Sequence, residues 1–234
     1  MINSKYFFKG ILCAKEFDSP AIALGLSFLA IGALLKNLGF TIQESIFSTF
    51  LTYALPGSLV MAESILIGVS LLNLFFAVWL VNARLYPMTV SLMPLLKHQN
   101  QPRWKYYLSC HFVAVSSWLI LKNNYKEIEK KYRVDFWIGI GTATWLIAIF
   151  STILGYYSAD FLNREMMIGL AIINPIYFTC TMIGVMKSIQ LNVSIILGAI
   201  LGPLFYFISP DWCVLIGGFV AGTVAFVIGE KNVS

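Results

Sequence analysis

Uncharged, mostly apolar runs follow one another along most of the chain, separated by short charged or polar segments. A helix needs about twenty such residues to cross a hydrocarbon core roughly 30 Å thick, so each run predicts a membrane-spanning helix. The predicted spans are residues 19–35, 45–62, 64–83, 106–121, 136–159, 166–186, 188–210 and 212–229. The pattern therefore predicts an all-α, polytopic helical bundle in a membrane. We expect about seven to eight transmembrane helices, with eight preferred.

The run between Glu44 and Glu63 is uncharged for eighteen residues but is interrupted in its second half by Pro56-Gly57. Proline lacks a backbone N–H and clashes with the preceding turn, while glycine tolerates most dihedral angles. Backbone groups freed inside hydrocarbon must be buried in protein or line a wet cavity. Two interpretations remain open: a simple proline kink, common in membrane helices, and the broken helix of a transporter's binding site.

Two further segments are predicted to be irregular. Asn174-Pro175 interrupts the second predicted span after the charged residues 122–133. Pro56-Gly57 interrupts the second predicted span before them. Interrupted segments at corresponding places in two halves are typical of transporters built from repeats. Residues 85–96 contain two prolines and are too short for a straight crossing, so a tilted or re-entrant half-helix is expected.

The charge pattern predicts the domain organisation. Residues 1–17 mix aromatic residues with lysines and predict an amphipathic arm at the cytoplasmic interface. Residues 18–230 form one predicted transmembrane domain, whose halves are 18–121 and 135–230. The charged loop 122–133 joins these halves on the cytoplasmic side, and residues 231–234 are a short tail.

Composition supports a membrane protein and argues against several other classes. The chain is 59% hydrophobic and 12% charged, whereas about a quarter of a soluble domain is charged. Its net charge of +5 comes from basic residues between the apolar runs, a position that marks cytoplasmic loops rather than a nucleic-acid site. The four cysteines have no metal-ligand or redox spacing, and no hydrolase or nucleotide motif is present. We expect no enzyme activity, metal or cofactor.

The candidate substrate site is built around the breaks. The N–H groups at a helix start attract a carboxylate, and free carbonyl groups, or Glu63, can receive an ammonium. Glu44 and Glu63 are more simply read as helix-end caps, and His111 as either a hydrogen-bonded bundle histidine or a proton relay. Asn82 and Arg84 are expected to orient a carboxylate or to lock the neighbouring half-helix. The predicted substrate-binding residues are Tyr53, Pro56, Gly57, Ser58, Asn82, Arg84, Asn174 and Pro175.

Several blocks carry a family resemblance. The run Leu38-Gly39-Phe40-Thr41, with Glu44-Ser45, Tyr53-Ala54 and Gly57-Ser58 after it, resembles the first block of the AzlC-type branched-chain amino-acid permeases. Val81-Asn82-Ala83-Arg84 resembles that family's Asn/Asp-x-Arg block. The later segments follow in the family's order, and the resemblance covers residues 17–229. Those later segments are Trp137-Ile138-Gly139-Ile140, Gly155-Tyr156-Tyr157 and residues 170–175.

The resemblance implies the large subunit of a two-component exporter of branched-chain amino acids, and in some members of methionine. It also implies the cytoplasmic (inner) membrane, a small membrane partner of the AzlD type, and an ion gradient, with a proton as the expected coupling ion.

The sequence departs from the family in three places. Ala54-Leu55-Pro56-Gly57-Ser58 lacks the family's glutamine, Leu85 replaces a histidine, and Ser109-Cys110-His111 replaces Thr-Asp-Glu. These departures leave another small neutral substrate open. A membrane scaffold without transport and a channel for a small neutral solute are the alternative functions.

Overall fold

The computed structural model describes residues 2–15, 20–83, 85–99, 101–163, 165–166, 168–170, 172–173, 176, 179–180, 189–208 and 213–231. All regular secondary structure within these residues is helical. The chain divides into two compact units, Met1–Tyr177 and Phe178–Ser234.

The first unit contains nine α-helices and two short 3-10 turns within the described residues. The helices are α1 (Ser4–Lys15), α2 (Pro20–Asn37), α3 (Ile42–Leu51), α4 (Leu55–Leu66), α5 (Leu71–Asn82), α6 (Leu85–Leu96), α7 (Arg103–His111), α8 (Val115–Asn124) and α9 (Arg133–Ser158). The 3-10 turns, Tyr125–Glu127 and Lys130–Tyr132, lie between α8 and α9. The second unit contains α10 (Ile189–Ile208) packed against α11 (Cys213–Lys231).

Helix α9 is the centre of the first unit, with α1 and α2 packed along it. Glycines make this packing close: a Cβ atom at Gly139 would collide with the backbone of α1, and one at Gly155 with the backbone of α2. Small residues of this kind let helix backbones approach in membrane proteins. Phe136 and Trp137 on α9 are fully buried and form the core beside this contact.

A buried ion pair connects three elements at one end of α9. Lys105 Nζ lies 2.6 Å from Asp135 Oδ1, and the two side chains are only 1% and 2% exposed. Lys105 also donates to Gln101 Oε1 at 2.8 Å, and Asp135 Oδ2 accepts the backbone N–H of Asn3 at 3.1 Å. Lys105 directly precedes the run 106–121, which was predicted to be a span, yet it lies inside α7 and is turned into the core.

In the part of the chain that the structure describes, two helical segments are long and apolar enough to cross a membrane, Pro20–Asn37 and Lys130–Ser158. Helices α5 and α6, which meet at an angle of 50°, make a third if the bent pair is one span. The predicted count of seven to eight transmembrane helices is therefore not confirmed. The tilted or re-entrant half-helix predicted over residues 85–96 is found as the separate helix α6.

The other predicted spans have mixed outcomes. The run 45–62 is broken as predicted, but the break falls at residues 52–54 and Pro56 lies in the first turn of α4. The single spans predicted at 64–83 and 106–121 are wrong, because each run contains two helices. Gly68 turns the chain with a φ of 69° between α4 and α5. The predicted spans 19–35, 136–159, 188–210 and 212–229 correspond to α2, α9, α10 and α11, and most of 166–186 lies outside the described residues.

Candidate functional site: three helix breaks around one cavity

The break between α3 and α4 spans Thr52–Ala54 and is held by local hydrogen bonds. The Ala54 N–H donates to the Thr52 carbonyl at 2.6 Å. The buried Ser58 hydroxyl lies within hydrogen-bonding distance of the Thr52 and Ala54 carbonyl oxygens, at 3.0 and 3.2 Å. Pro56 occupies the first helical turn, where a missing N–H breaks no hydrogen bond. The sequence thus supplies a proline that starts α4 and a serine that satisfies the carbonyls freed by the break.

A second break, between α7 and α8, is held in the same way. Helix α7 ends at His111 and α8 begins at Val115. The Ser117 hydroxyl donates to the Phe112 carbonyl at 2.6 Å and accepts the Ala114 N–H at 3.1 Å. In both breaks, a buried serine from the following helix replaces the lost backbone hydrogen bonds.

These two breaks and the junction of α5 with α6 border one cavity of about 300 Å³. Small-molecule sites have volumes of roughly 300–1,000 Å³, so the cavity suits a small solute. Its lining residues are Leu51, Thr52, Tyr53 and Ala54 from the first break, Val78, Asn82 and Leu85 from α5 and α6, and Cys110, His111 and Val113 from the second break. Interrupted helices in a membrane protein are tolerated where they line a cavity, and they are typical of transport sites.

Two polar side chains of the lining have unused hydrogen-bonding capacity. Tyr53 is 5% exposed and stacks on Phe28, and its hydroxyl falls short of hydrogen-bonding geometry with Thr144. Asn82 Oδ1 is buried and has no hydrogen-bond partner among the described residues. Buried polar atoms are nearly always paired, so these unpaired atoms, in two residues that line the cavity, make Tyr53 and Asn82 candidate ligand contacts.

Gly57 lies directly behind Asn82. A Cβ atom at Gly57 would be 2.5 Å from Asn82 Nδ2 and 2.8 Å from Oδ1, distances that no real contact tolerates. Only glycine at this position lets the amide of Asn82 lie against α4. Gly57 therefore fixes where Asn82 presents its oxygen.

The helix ends give the cavity two electrostatic poles. Helix α4 begins at the cavity, and its N-cap residue, Ala54, supplies no side-chain hydrogen bond to the first N–H groups. Helices α3 and α7 end there, and the Phe50 carbonyl of α3 faces the His111 imidazole. Helix starts carry partial positive charge and helix ends partial negative charge. No charged side chain occurs among the described lining residues, so these poles dominate the local field.

The predicted site residues fall into three groups. Tyr53 and Asn82 line the cavity. Pro56, Gly57 and Ser58 lie behind it: Pro56 starts α4, Gly57 supports Asn82, and Ser58 holds the break. Arg84, Asn174 and Pro175 lie outside the described residues.

The two glutamates bordering the central run stand apart from the cavity. Glu44 is the capping residue that was predicted: its Oε2 accepts the Thr41 N–H at 2.7 Å. These hydrogen bonds from Thr41 hold the pKa of the Glu44 carboxyl below its usual value. Glu63 is exposed on α4 and does not line the cavity.

Sequence reasoning missed several lining residues, including Thr52, Val78 and Cys110. Val78 could have been found from helical spacing, because it lies one turn before Asn82 on α5. His111 was named only as a bundle histidine or relay, without a partner. Its neighbours Tyr53 and Trp145 come from distant parts of the chain, with ring centroids 6.4 and 5.8 Å away.

Comparison with protein families decides the class. The family model described as AzlC protein matches residues 20–162. The chain belongs to the AzlC family. It is therefore a membrane protein of an amino-acid transport family, and the three breaks and the whole cavity lie inside the matched segment. Neither a curated protein nor a solved structure is similar enough to this AzlC protein to count as a match.

Proposed function

We propose that this AzlC protein is the large subunit of a secondary transporter that exports branched-chain or similar neutral amino acids across the cytoplasmic membrane. The observation that carries the proposal is the convergence of three helix interruptions on one small cavity with unpaired polar atoms. A membrane scaffold has no need of such a cavity. A small AzlD-type subunit and an inward proton gradient complete the proposed system.

The two poles of the cavity suit the two charged groups of an amino acid. The N–H groups at the start of α4 receive the carboxylate, because a helix start is a ready anion site. The ammonium lies towards the ends of α3 and α7, which carry partial negative charge, whereas Asn82, packed against the start of α4, lies on the carboxylate side. The Tyr53 hydroxyl adds one further directional hydrogen bond.

The apolar part of the lining sets the proposed side-chain preference. Leu51, Val78, Leu85 and Val113 contribute aliphatic surface. A charged substrate side chain would enter a site whose described lining offers no counter-charge, which costs free energy. Leucine, isoleucine, valine and methionine fit this environment better than lysine or glutamate.

The test is efflux from cells that lack their own branched-chain exporter. Cells are loaded with a leucine-containing dipeptide, with and without the chain and its small partner, and released leucine is followed. We expect faster, saturable release that is lost in Asn82→Ala. Asn73→Ala is the matched control, because Asn73 is exposed on the same helix and does not line the cavity.

The alternatives give different results in the same assay. A channel gives downhill release that does not saturate. A scaffold gives equal release with and without the chain, and equal release in a Pro56→Ala and Ser58→Ala double variant. The exporter proposal is overturned if one of these two results is obtained for all of the branched-chain amino acids and for methionine.

A further inference from the structure

His111 occupies a position where two helices end. It is the last residue of α7 and lies near the Phe50 carbonyl in the last turn of α3, which also accepts the Trp145 indole N–H at 3.3 Å. Cations are stabilised at helix C-termini, by up to about 2 kcal/mol in partly buried geometries. The surroundings of His111 therefore favour whichever cation is present, an imidazolium or a substrate ammonium.

His111 is the main side chain of the cavity that can change its charge near neutral pH, because the groups around it are aromatic rings. Its ring neighbours are Tyr53 from the first break, Trp145 from α9 and the adjacent Phe112. Among the described lining residues, only Tyr53 and Cys110 are otherwise titratable. A tyrosine hydroxyl and a cysteine thiol are ordinarily neutral near pH 7, whereas histidine is the side chain that ordinarily changes charge between pH 5 and 8.

The nearest charged residue on α7, Lys105, does not contribute a charge to the cavity. Lys105, six positions before His111, is held by Asp135 in the core away from the cavity lining. The cavity therefore has a negative pole of carbonyl groups, with one histidine beside it and no acidic side chain among its described residues.

We propose that His111 is the proton-binding residue of the transport cycle, and that its proton and the substrate ammonium compete for the carbonyl pole formed by the ends of α3 and α7. This inference rests on the proposed function. Neutral His111 admits the ammonium of the substrate. Protonated His111 repels it, because two cations would then lie within one small cavity.

Competition of this kind couples export to an inward proton gradient. Facing the cytoplasm, where protons are scarcer, His111 gives its proton to water and the amino acid binds. Facing outwards, a ring nitrogen of His111 takes up one proton from solution and the amino acid leaves. Each cycle moves one amino acid out and one proton in, and His111 ends in its starting protonation state.

The test uses the full chain, with any subunit that co-purifies, reconstituted in liposomes. Leucine exchange is measured at equal pH on both sides. Because protonation of His111 would exclude the substrate ammonium, we expect the leucine concentration for half-saturation to rise several-fold as the pH falls from about 7.5 to about 5. In His111→Asn, which keeps a hydrogen-bonding side chain, we expect a change of less than about twofold over the same range.

The chain contains two histidines, so the other provides the matched control. His98 lies between α6 and α7, where its backbone contacts the Tyr106 hydroxyl, and it does not line the cavity. His98→Asn is expected to keep the wild-type pH profile. An inward proton gradient is expected to drive leucine uphill with the wild type and with His98→Asn, and not with His111→Asn.

The outcomes separate this inference from the proposed function. Wild-type liposomes that exchange no neutral amino acid refute the proposed function. Exchange by the wild type that is independent of pH, or a several-fold pH dependence that survives in His111→Asn, refutes the role of His111 alone. If His111→Asn is misfolded or inactive, leucine is added to the wild-type protein in weak buffer at a series of pH values from about 5 to about 7.5, the range in which histidines titrate. Proton release supports the inference, and its absence overturns it.

Discussion

At the scale of single residues, the contact between Gly57 and Asn82 links the fold to the cavity. In Gly57→Ala the new methyl group would overlap the Asn82 amide, so that amide must leave its place in the lining. Displacing a positioned group by about 1 Å can cost up to about a hundredfold in rate. We expect leucine efflux to fall at least about tenfold while the amount of folded protein is unchanged.

Gly222→Ala is the control for this variant. Gly222 lies within α11, and no atom lies within 4 Å of a Cβ added there. An alanine in a helix interior is favoured over glycine by about 0.5–1 kcal/mol, so this variant should transport and be at least as stable. Full efflux by Gly57→Ala would show that Asn82 has no part in substrate binding.

A second prediction at this scale concerns Ser58. Ser58→Ala leaves the Thr52 and Ala54 carbonyl oxygens without their buried hydroxyl partner. Because each carbonyl keeps a backbone N–H partner, the free energy of unfolding should fall by about 0.5–1.5 kcal/mol, the net contribution of a hydrogen bond. Thermal unfolding in detergent measures this, with Ser91→Ala as an exposed serine-to-alanine control. Equal losses in the two variants would contradict a special role for Ser58 at the break.

Features that depend on neighbours in the chain were the most predictable from sequence. Glu44 was predicted as a helix-end cap, and it forms a capping box with Thr41 because the motif is complete within four residues. Tyr53 and Asn82, named because each stands beside an interruption or the end of a run, line the cavity, and their substrate-binding role stays a prediction. His111 was named without a partner, because its ring contacts are brought together only by tertiary packing of α7, α9 and the first break.

At the scale of elements, the ion pair between α7 and α9 gives the sharpest prediction. Asp135→Asn leaves the Lys105 ammonium buried without its counter-charge. Breaking a buried pair from one side costs about 3–5 kcal/mol, whereas removing both charges is often close to neutral. We therefore expect a large fall in thermal stability, which Lys105→Met in the same chain largely restores.

The pair formed by Lys36 and Asp160 is the matched control. Its Nζ–Oδ2 distance is also 2.6 Å, but its side chains are 29% and 72% exposed. Solvent screens such a pair, so Asp160→Asn should cost less than about 1 kcal/mol. Similar losses for Asp135→Asn and Asp160→Asn would mean that burial does not govern the first pair.

Helix ends were predictable where a residue marks them and were missed where none does. Pro20 starts α2 and Thr41 caps α3, as the sequence indicates. The apolar run 64–83 continues without a charge or proline through the turn at Gly68, and the run 106–121 does the same through residues 112–114. Hydrophobicity alone does not separate one long helix from two short ones, so both runs were taken as single spans.

At the scale of the whole molecule, composition was enough to predict an all-helical membrane protein. The number of crossings was not predictable, because it depends on which short helices combine into broken spans. The family was recognised from blocks within residues 17–229, and the family match covers residues 20–162. The cavity was anticipated only in part: the interruptions in the run 45–62 and before residues 85–96 were predicted, whereas the one between α7 and α8 and the convergence of all three were not.

The central claim, that this cavity holds the amino acid, is tested most directly by substrate protection of Cys110. Cys110 is an exposed, free cysteine of the lining, and Cys180 is an exposed, free cysteine outside it. The purified wild-type chain is alkylated with a small thiol reagent, with and without leucine, and each site is quantified by peptide mass spectrometry. We expect leucine to slow modification of Cys110 and to leave Cys180 unchanged, and lysine and glutamate to protect neither. The account would be contradicted if Cys110 were alkylated at the same rate in the absence of ligand and in the presence of each branched-chain amino acid and of methionine, tested in turn.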